Sequence, residues 1–287
     1  MTDTAQRGTR LGVGERRAVV AGFGALAWFV GLLWIFPVAW TVFTSFKTEE
    51  DASAQTLHQG LSFGRYSDVS HSTTGTLSLQ SAFTNSLVVV SVSTLIVLLL
   101  ALPAAYALAI RPIHRWRDVL FFFISTKFLP VVASIFPIYV YAERWNLIGT
   151  RTVLVILYIA INLPLAVWML RSFFLEVPRE LIEASEIDGT SLFNQLRSVI
   201  LPIAAPGIAA TALLCVIFAW NEYFYALQLN FANASTMPQW VTSNVSTRGN
   251  FLAKLSAAST IACLPVVLAG WATQKRMIRG LSMGALK

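Results

Sequence analysis

Apolar residues along this chain gather into six runs, separated by short polar stretches, near Ala18–Phe46, Ala82–Ile110, Val119–Ala142, Thr152–Phe174, Gly207–Leu229 and Ala253–Thr273. A bilayer core needs roughly 20 apolar residues per helix, so each run predicts one membrane span. Between the fourth and fifth runs lies a long polar interruption, from Pro178 to Pro206. Its pattern predicts two short helices with a break. Pro178 suits a first helical position, where its missing N–H costs nothing. Leu181, Ile182, Ala184 and Ser185 form one modestly apolar face, with Glu180, Glu183 and Glu186 around it. Asp188-Gly189 is a stop signal, because glycine takes the left-handed conformation that ends helices. Ser191 is a cap for a second helix carrying Leu192, Phe193, Leu196, Val199 and Ile200, which Pro202 and Pro206 limit. A helix–glycine–helix tied at both ends to membrane spans is a lever that an outside partner can push.

Composition places the chain in the membrane. It is 56% hydrophobic and 12% charged, with a mean hydropathy of +0.65, and soluble domains carry about twice that charge fraction. Charge placement orients the spans. Arg7, Arg10, Arg16 and Arg17 precede the first; Arg111, Arg115 and Arg117 join the second and third. Arg171, Arg179 and Arg197 surround the central loop, and Lys275, Arg276, Arg279 and Lys287 close the chain. The other side holds Lys47, Arg65, Arg144, Arg151, Arg248 and Lys254. Positive charge marks the cytoplasm, so both termini and the central loop face inward. The net charge of +7 reports this topology and needs no nucleic-acid partner, although the N-terminal arginines can also touch anionic lipid. The first apolar run is far longer than a secretory h-region of about 7–15 residues, which predicts an uncleaved anchor. Cys215 and Cys263 fall inside spans and read as apolar filler. The sequons at Asn233 and Asn244 are patterns common by chance.

The central loop carries a resemblance. Glu183-Ala184-Ser185, then Gly189, then Val199-Ile200-Leu201-Pro202 resembles the EAA loop of ABC importer permeases: E-A-A, three residues, G, nine residues, I-x-L-P. Ser185 replaces the second alanine and Val199 the isoleucine. The likeness implies the type I ABC importer permease (MetI-like) fold, all-α, with six transmembrane helices and both termini cytoplasmic. It also implies that this loop is a coupling helix docking into a cleft on a separate ATPase, with Glu183 as ionic contact and Ala184, Ser185, Asp188, Gly189, Leu201 and Pro202 shaping the lever. The stretch from Asn85-Ser86 to AAYALA (where small residues from Ala101 to Ala109 permit close helix approach) extends the likeness to the C-terminus. The tail, ending Gly280-Leu281-Ser282-Met283-Gly284-Ala285-Leu286-Lys287, resembles those of maltose-type permeases. A second ATPase contact at Arg279 and Gly280 is then implied, against the plainer reading of an inner-face anchor.

Polar residues inside the spans mark candidate solute contacts. Lys127 lies in FFFISTKFLPVVASIFPIY, before Pro130. A lysine in hydrocarbon costs about 3 kcal/mol and usually faces a cavity or a partner, or else its amine snorkels to the inner interface. Asn162 and Pro164 form a weak point in span four: proline frees a carbonyl, and broken helices line substrate paths, while asparagine more often ties two helices together. Trp220-Asn221-Glu222-Tyr223-Phe224-Tyr225 reads either as a polyol-binding surface or as an aromatic belt, with Glu222 favouring a gate or solute contact. The S-T-K-x-L-P and W-N-E stretches are similar to the mannitol/sorbitol branch of the carbohydrate-uptake permeases.

Several chemistries are excluded. None of Lys47, Lys127, Lys254, Lys275 or Lys287 follows a glycine, so there is no P-loop, and His58, His71 and His114 lack metal spacing. The chain is expected to bind no cofactor itself, with ATP and Mg on the partner subunits. The organisation expected is a basic tail over 1–17, a first helix and outer segment over 18–82, a permease domain over 83–273 containing the coupling loop at 175–206, and a C-terminal tail over 274–287. The outer segment from Lys47 to Ser81 is expected to be polar and partly irregular. The implied assembly adds a second permease subunit, two ATPases and an extracytoplasmic solute-binding protein in a bacterial inner membrane. The solute reads as a sugar alcohol, with maltose or trehalose as rival, and a secondary carrier or a membrane scaffold as the competing classes.

Overall fold

The computed structural model describes residues 13–54, 62–71, 78–111, 113–230, 234–244 and 251–284; of the side chains, those of 13–19 and 275–284 lie outside the description. The described residues are helical, in the order α1 (Val13–Thr44), α2 (Glu49–Ala54), α3 (Gly64–His71), α4 (Leu79–Ala109), α5 (Trp116–Ser125), α6 (Val131–Arg144), α7 (Arg151–Leu175), α8 (Arg179–Ile187), α9 (Leu192–Gln195), α10 (Leu201–Trp220), α11 (Phe224–Leu229), α12 (Met237–Ser243) and α13 (Leu252–Gly284). Five of these segments are long and apolar enough to cross a membrane, and α5 with α6 makes a sixth if taken as one broken span.

The bundle is built on α4 against α7, with α10 packed on both and α13 on α10. Ala101 and Ala105 are fully buried on the inner half of α4, and Val167, Leu170 and Phe174 of α7 meet them there. The outer half of the same pair forms a second core with Val89, Leu154, Tyr158, Met237 and Trp240. Where α10 crosses α7, an added Cβ on Gly207 would stand 2.1 Å from Cγ of Phe173. Alanine elsewhere in a helix stabilises by about 0.5–1 kcal/mol over glycine, but here the ring would have to move. We expect Gly207→Ala to destabilise by about 1–3 kcal/mol, read as a lowered thermal midpoint of the detergent-solubilised chain.

Four expectations need correction. The third span is not one helix: α5 ends in a 3₁₀ turn at Thr126–Phe128, and α6 leaves at 92° to it, because Pro130 donates no N–H and holds the residue before it extended. The helix of the second run begins before Ala82, at Ser78, through a capping box with Ser81. The described parts of the outer segment (47–54, 62–71 and 78–81) are more ordered than their composition suggests. Phe46, Phe63 and Tyr66 cluster there, Val69 is fully buried against the bundle, and the Glu49 carboxylate accepts from the Ala253 and Lys254 amides at 3.0 and 2.8 Å. A carboxylate on a helix N-terminus is a stabilising arrangement. Finally, Pro202 and Pro206 do not limit the loop's second helix. A π turn at Leu196–Ile200, in which the Leu201 amide donates to Leu196 O, runs α9 into α10 as one apolar segment, Leu192–Trp220. The wider turn sits immediately before Pro202, whose ring would otherwise press on the carbonyl four residues back.

Candidate coupling and translocation sites

The polar loop folds as α8, a joint, and α9. Pro178 stands one position outside α8, as its N-cap. At the far end Asp188 is the C-cap and Gly189 has φ +68°. The Thr190 amide donates to Ser185 O and the Gly189 amide to Glu186 O, each at 3.0 Å. This is the Schellman arrangement, which closes a helix by sending the chain through one left-handed residue. Ser191 then accepts from the Asn194 amide at 3.4 Å, capping α9 as expected.

Burial divides α8 differently from its hydropathy. Ile182 and Ser185 face inward, whereas Leu181, Glu183, Ala184, Ile187 and Asp188 are exposed. Leu181 and Ala184, expected on the apolar face, lie a quarter-turn away from Ile182 and Ser185 and stay in solvent. Ile187 is 86% exposed, and Leu192 and Phe193 beyond the joint are exposed as well. Among the described residues the Glu183 carboxylate has no hydrogen bond or ion pair, so it is available to a partner. Leu201 packs against the inner core and Pro202 is exposed at the hinge, away from the tip. Arg279 and Gly280 lie within the backbone of α13, but their side chains, like residues 285–287, are outside the described residues, as are Arg7, Arg10, His58, Asn233 and Arg248.

Glu186 pairs with Arg111 at 2.6 Å, tying α8 to the inner end of α4. The Tyr106 hydroxyl, and then the Glu186 charge, push the Arg111 guanidinium above its ordinary pKa.

The intramembrane residues form a chain of contacts from the broken span to the outer end. Lys127 is exposed at the 3₁₀ turn, and its amine donates to Ile161 O of α7 at 2.7 Å. It reaches across to a neighbouring helix. Pro130 is exposed beside it, while Asn162 and Pro164 are buried in the bundle. Asn162 Nδ2 donates to Tyr158 O at 2.9 Å, and its Oδ1 is buried without a partner. The Tyr158 hydroxyl in turn donates to Glu222 Oε2 at 3.0 Å. Glu222 also accepts from the Tyr225 and Ala226 amides at 2.8 and 3.2 Å, which makes it the N-terminal anchor of α11. The Tyr225 and Ser134 hydroxyls meet at 2.7 Å, closing the chain onto α6.

The fifth span therefore ends at Trp220, and W-N-E lies at its outer break. Trp220 and Tyr225 are buried, and the Trp220 indole donates to Ala262 O, so neither belongs to an interfacial aromatic belt. Asn221 and Tyr223 instead line a mostly apolar cleft of about 440 Å³ with Met237, Val241, Cys263 and Val266, between α10, α12 and α13. Sequence reasoning missed Tyr158 and Ser134, and took Tyr225 for a solute-facing or belt ring; together the three hold Glu222 and its helix in place. It also passed over Asn85 and Arg151: Arg151 Nε donates to Asn85 Oδ1 at 2.8 Å, and Asn85 Nδ2 to Ser235 O at 2.9 Å, pinning the outer loop to α4. A buried asparagine near a predicted helix start is the one signal that pointed to this.

Residues 98–275 match the family described as "Binding-protein-dependent transport system inner membrane component". The chain is 36% identical over 210 residues to a putative ABC transporter permease protein, ORF1, of Streptomyces antibioticus, covering 73% of this chain and 92% of that one. It is 29% identical over 266 residues to the diacetylchitobiose uptake system permease protein DasC of Streptomyces coelicolor, covering 92% and 95%. Its fold is similar to a chain in the crystal structure of a bacterial ABC transporter involved in the import of the acidic polysaccharide alginate. There the TM-score is 0.70 at 21% identity, over 92% of this chain and 98% of that one.

Proposed function

Because this chain belongs to the family of binding-protein-dependent transport system inner membrane components, and is thus a multi-pass, non-enzymatic permease subunit of an ABC importer, we propose that it is worked from the cytoplasm through the Glu183–Gly189 helix to carry a carbohydrate inward. The observation that carries this reading is the joint itself. An exposed helix tip bearing Glu183 and Ile187 turns through left-handed Gly189 into a continuous helix that runs to Trp220. Force applied to α8 is therefore delivered to a helix spanning the bundle. Two ATPase subunits carrying ATP and Mg would sit beneath the spans, one of them gripping this loop, with a second permease subunit closing the solute path opposite Lys127 and Pro130. The family's description supports a solute-binding protein on the outer face. ATP would then act by favouring one of two states through differential contacts, alternating access to the path.

For the solute, the diacetylchitobiose relative supports a disaccharide. The S-T-K-x-L-P and W-N-E stretches support a sugar alcohol of the mannitol or sorbitol kind as a second reading. Reconstitution with and without the ATPase partners tests the function: uptake is expected with ATP, ATPase and binding protein together. Uptake without the ATPase, driven by a proton or sodium gradient, would make the chain a secondary carrier. Titrating the solute-binding protein with diacetylchitobiose, trehalose, mannitol and sorbitol decides between the solutes.

A further inference from the structure

Behind its exposed tip, α8 is held by side chains that the tip does not use. Gln195 is fully buried, and Ser185 and Tyr106 are nearly so. The Tyr106 hydroxyl, from the inner end of α4, donates to Gln195 Oε1. Gln195 Nε2 donates to Ser185 Oγ at 2.7 Å and to Ile182 O at 3.3 Å, and the Ser185 hydroxyl donates to Ile182 O at 2.6 Å. Both amide hydrogens and the amide oxygen of Gln195 are thus engaged in a buried site joining α4, α8 and α9.

We infer that Tyr106, Gln195 and Ser185 form a latch that holds the coupling helix to α4, so that displacement of α8 moves the α4–α7 pair and does not merely roll the short helix in place. This rests on the coupling reading given above. On its inward face α8 buries just Ile182 and Ser185. Apolar contact is non-directional, and a single isoleucine leaves a nine-residue helix free to turn about its axis. Hydrogen bonds are limited in distance and angle, and a buried, satisfied network specifies one arrangement. The Arg111–Glu186 pair joins the same two elements, but half-exposed ion pairs constrain little. Two features of this chain make the latch. Ser185 stands where the EAA pattern has its second alanine, and alanine could accept nothing from Gln195. The π turn at Leu196–Ile200 changes the helical register, so that Gln195, five positions before buried Ile200, turns inward with it.

Each of the three is a positioning residue, so the test must separate coupling from folding. The experiment uses the complete transporter in proteoliposomes, with partner permease, ATPases and solute-binding protein, and measures ATP hydrolysed per solute imported. The triple variant Tyr106→Phe, Ser185→Ala, Gln195→Leu removes every polar partner together and leaves no orphaned group, a change that folded proteins tolerate well. It is expected to assemble with the ATPases and to raise ATP consumed per solute about fivefold, the scale of one buried hydrogen bond. Ser185→Ala and Gln195→Leu alone should each raise the ratio, and together by less than the product of the two, as members of one network do. An unchanged ratio in all of these, or strictly multiplicative effects, would overturn the latch. Gly189→Pro is run beside them. If it uncouples and the latch variants do not, the latch alone fails; if it too leaves the ratio unchanged, the coupling reading itself fails. Should the triple variant not insert, Ser185→Ala decides the matter alone.

Discussion

Replacing Gly189 by proline is expected to abolish ATP-driven uptake while the chain still inserts in the membrane. Gly189 has φ +68° and its amide donates to Glu186 O. Proline fixes φ near −65° and has no N–H, so both features of the joint are lost at a local cost of about 3 kcal/mol. The loop is on the water side, so the cost falls on the angle between α8 and α9 and spares the spans. Gly189→Ala is the informative control. An added Cβ at this position meets nothing within 4 Å, which leaves only the left-handed strain of about 1–2 kcal/mol, and uptake should fall several-fold less. Glu183→Lys attacks the other half of the lever. It reverses an exposed charge that has no partner within the described residues, and should loosen ATPase binding measured by co-purification. Wild-type uptake in both Gly189→Pro and Glu183→Lys would remove the lever from the mechanism.

The second large effect is expected at Lys127. Its ammonium sits at the break of a bent span and donates to Ile161 O; two of its three hydrogens remain for other partners. Lysine at membrane depth costs about 3 kcal/mol on insertion scales, and one carbonyl is modest compensation. A solute's hydroxyls, or an acceptor on the opposing permease subunit, would supply the remainder. Lys127→Met keeps the stem and removes the charge. A charge-assisted hydrogen bond is worth about 1.5–3 kcal/mol, so uptake should fall by about 10- to 100-fold, with ATPase binding retained. Lys127→Arg should restore part of it. If Lys127→Met lowers the thermal midpoint but leaves solute KM and rate unchanged, the lysine serves as a strut between α5 and α7.

Much of the fold of the polar loop was readable from its residues, because its signals are local. Asp188-Gly189 predicts a left-handed stop from the steric freedom of one residue, and Ser191 predicts a cap from one hydroxyl. Both are observed. What could not be read was which way the loop faces. Gln195 is not among the residues the pattern places on the apolar face of the second helix, yet it is fully buried, beside the π turn at Leu196–Ile200. Glu222 shows the same limit: its residue type and apolar neighbours suggested a solute contact, whereas its oxygens are engaged by Tyr158, Tyr225 and Ala226.

By itself the sequence determined the number of apolar runs, their orientation in the membrane, the two short helices with their glycine joint, and the absence of a P-loop. These follow from transfer energies, charge bias and single-residue backbone preferences, all of which act over a few neighbours in the chain. Tertiary structure alone decided that Lys127 reaches α7, and that Tyr106 of α4 holds Gln195, and through it Ser185, beneath the loop. Those depend on groups up to about ninety positions apart, and which distant donor finds which buried acceptor is set by packing, on which no local preference bears.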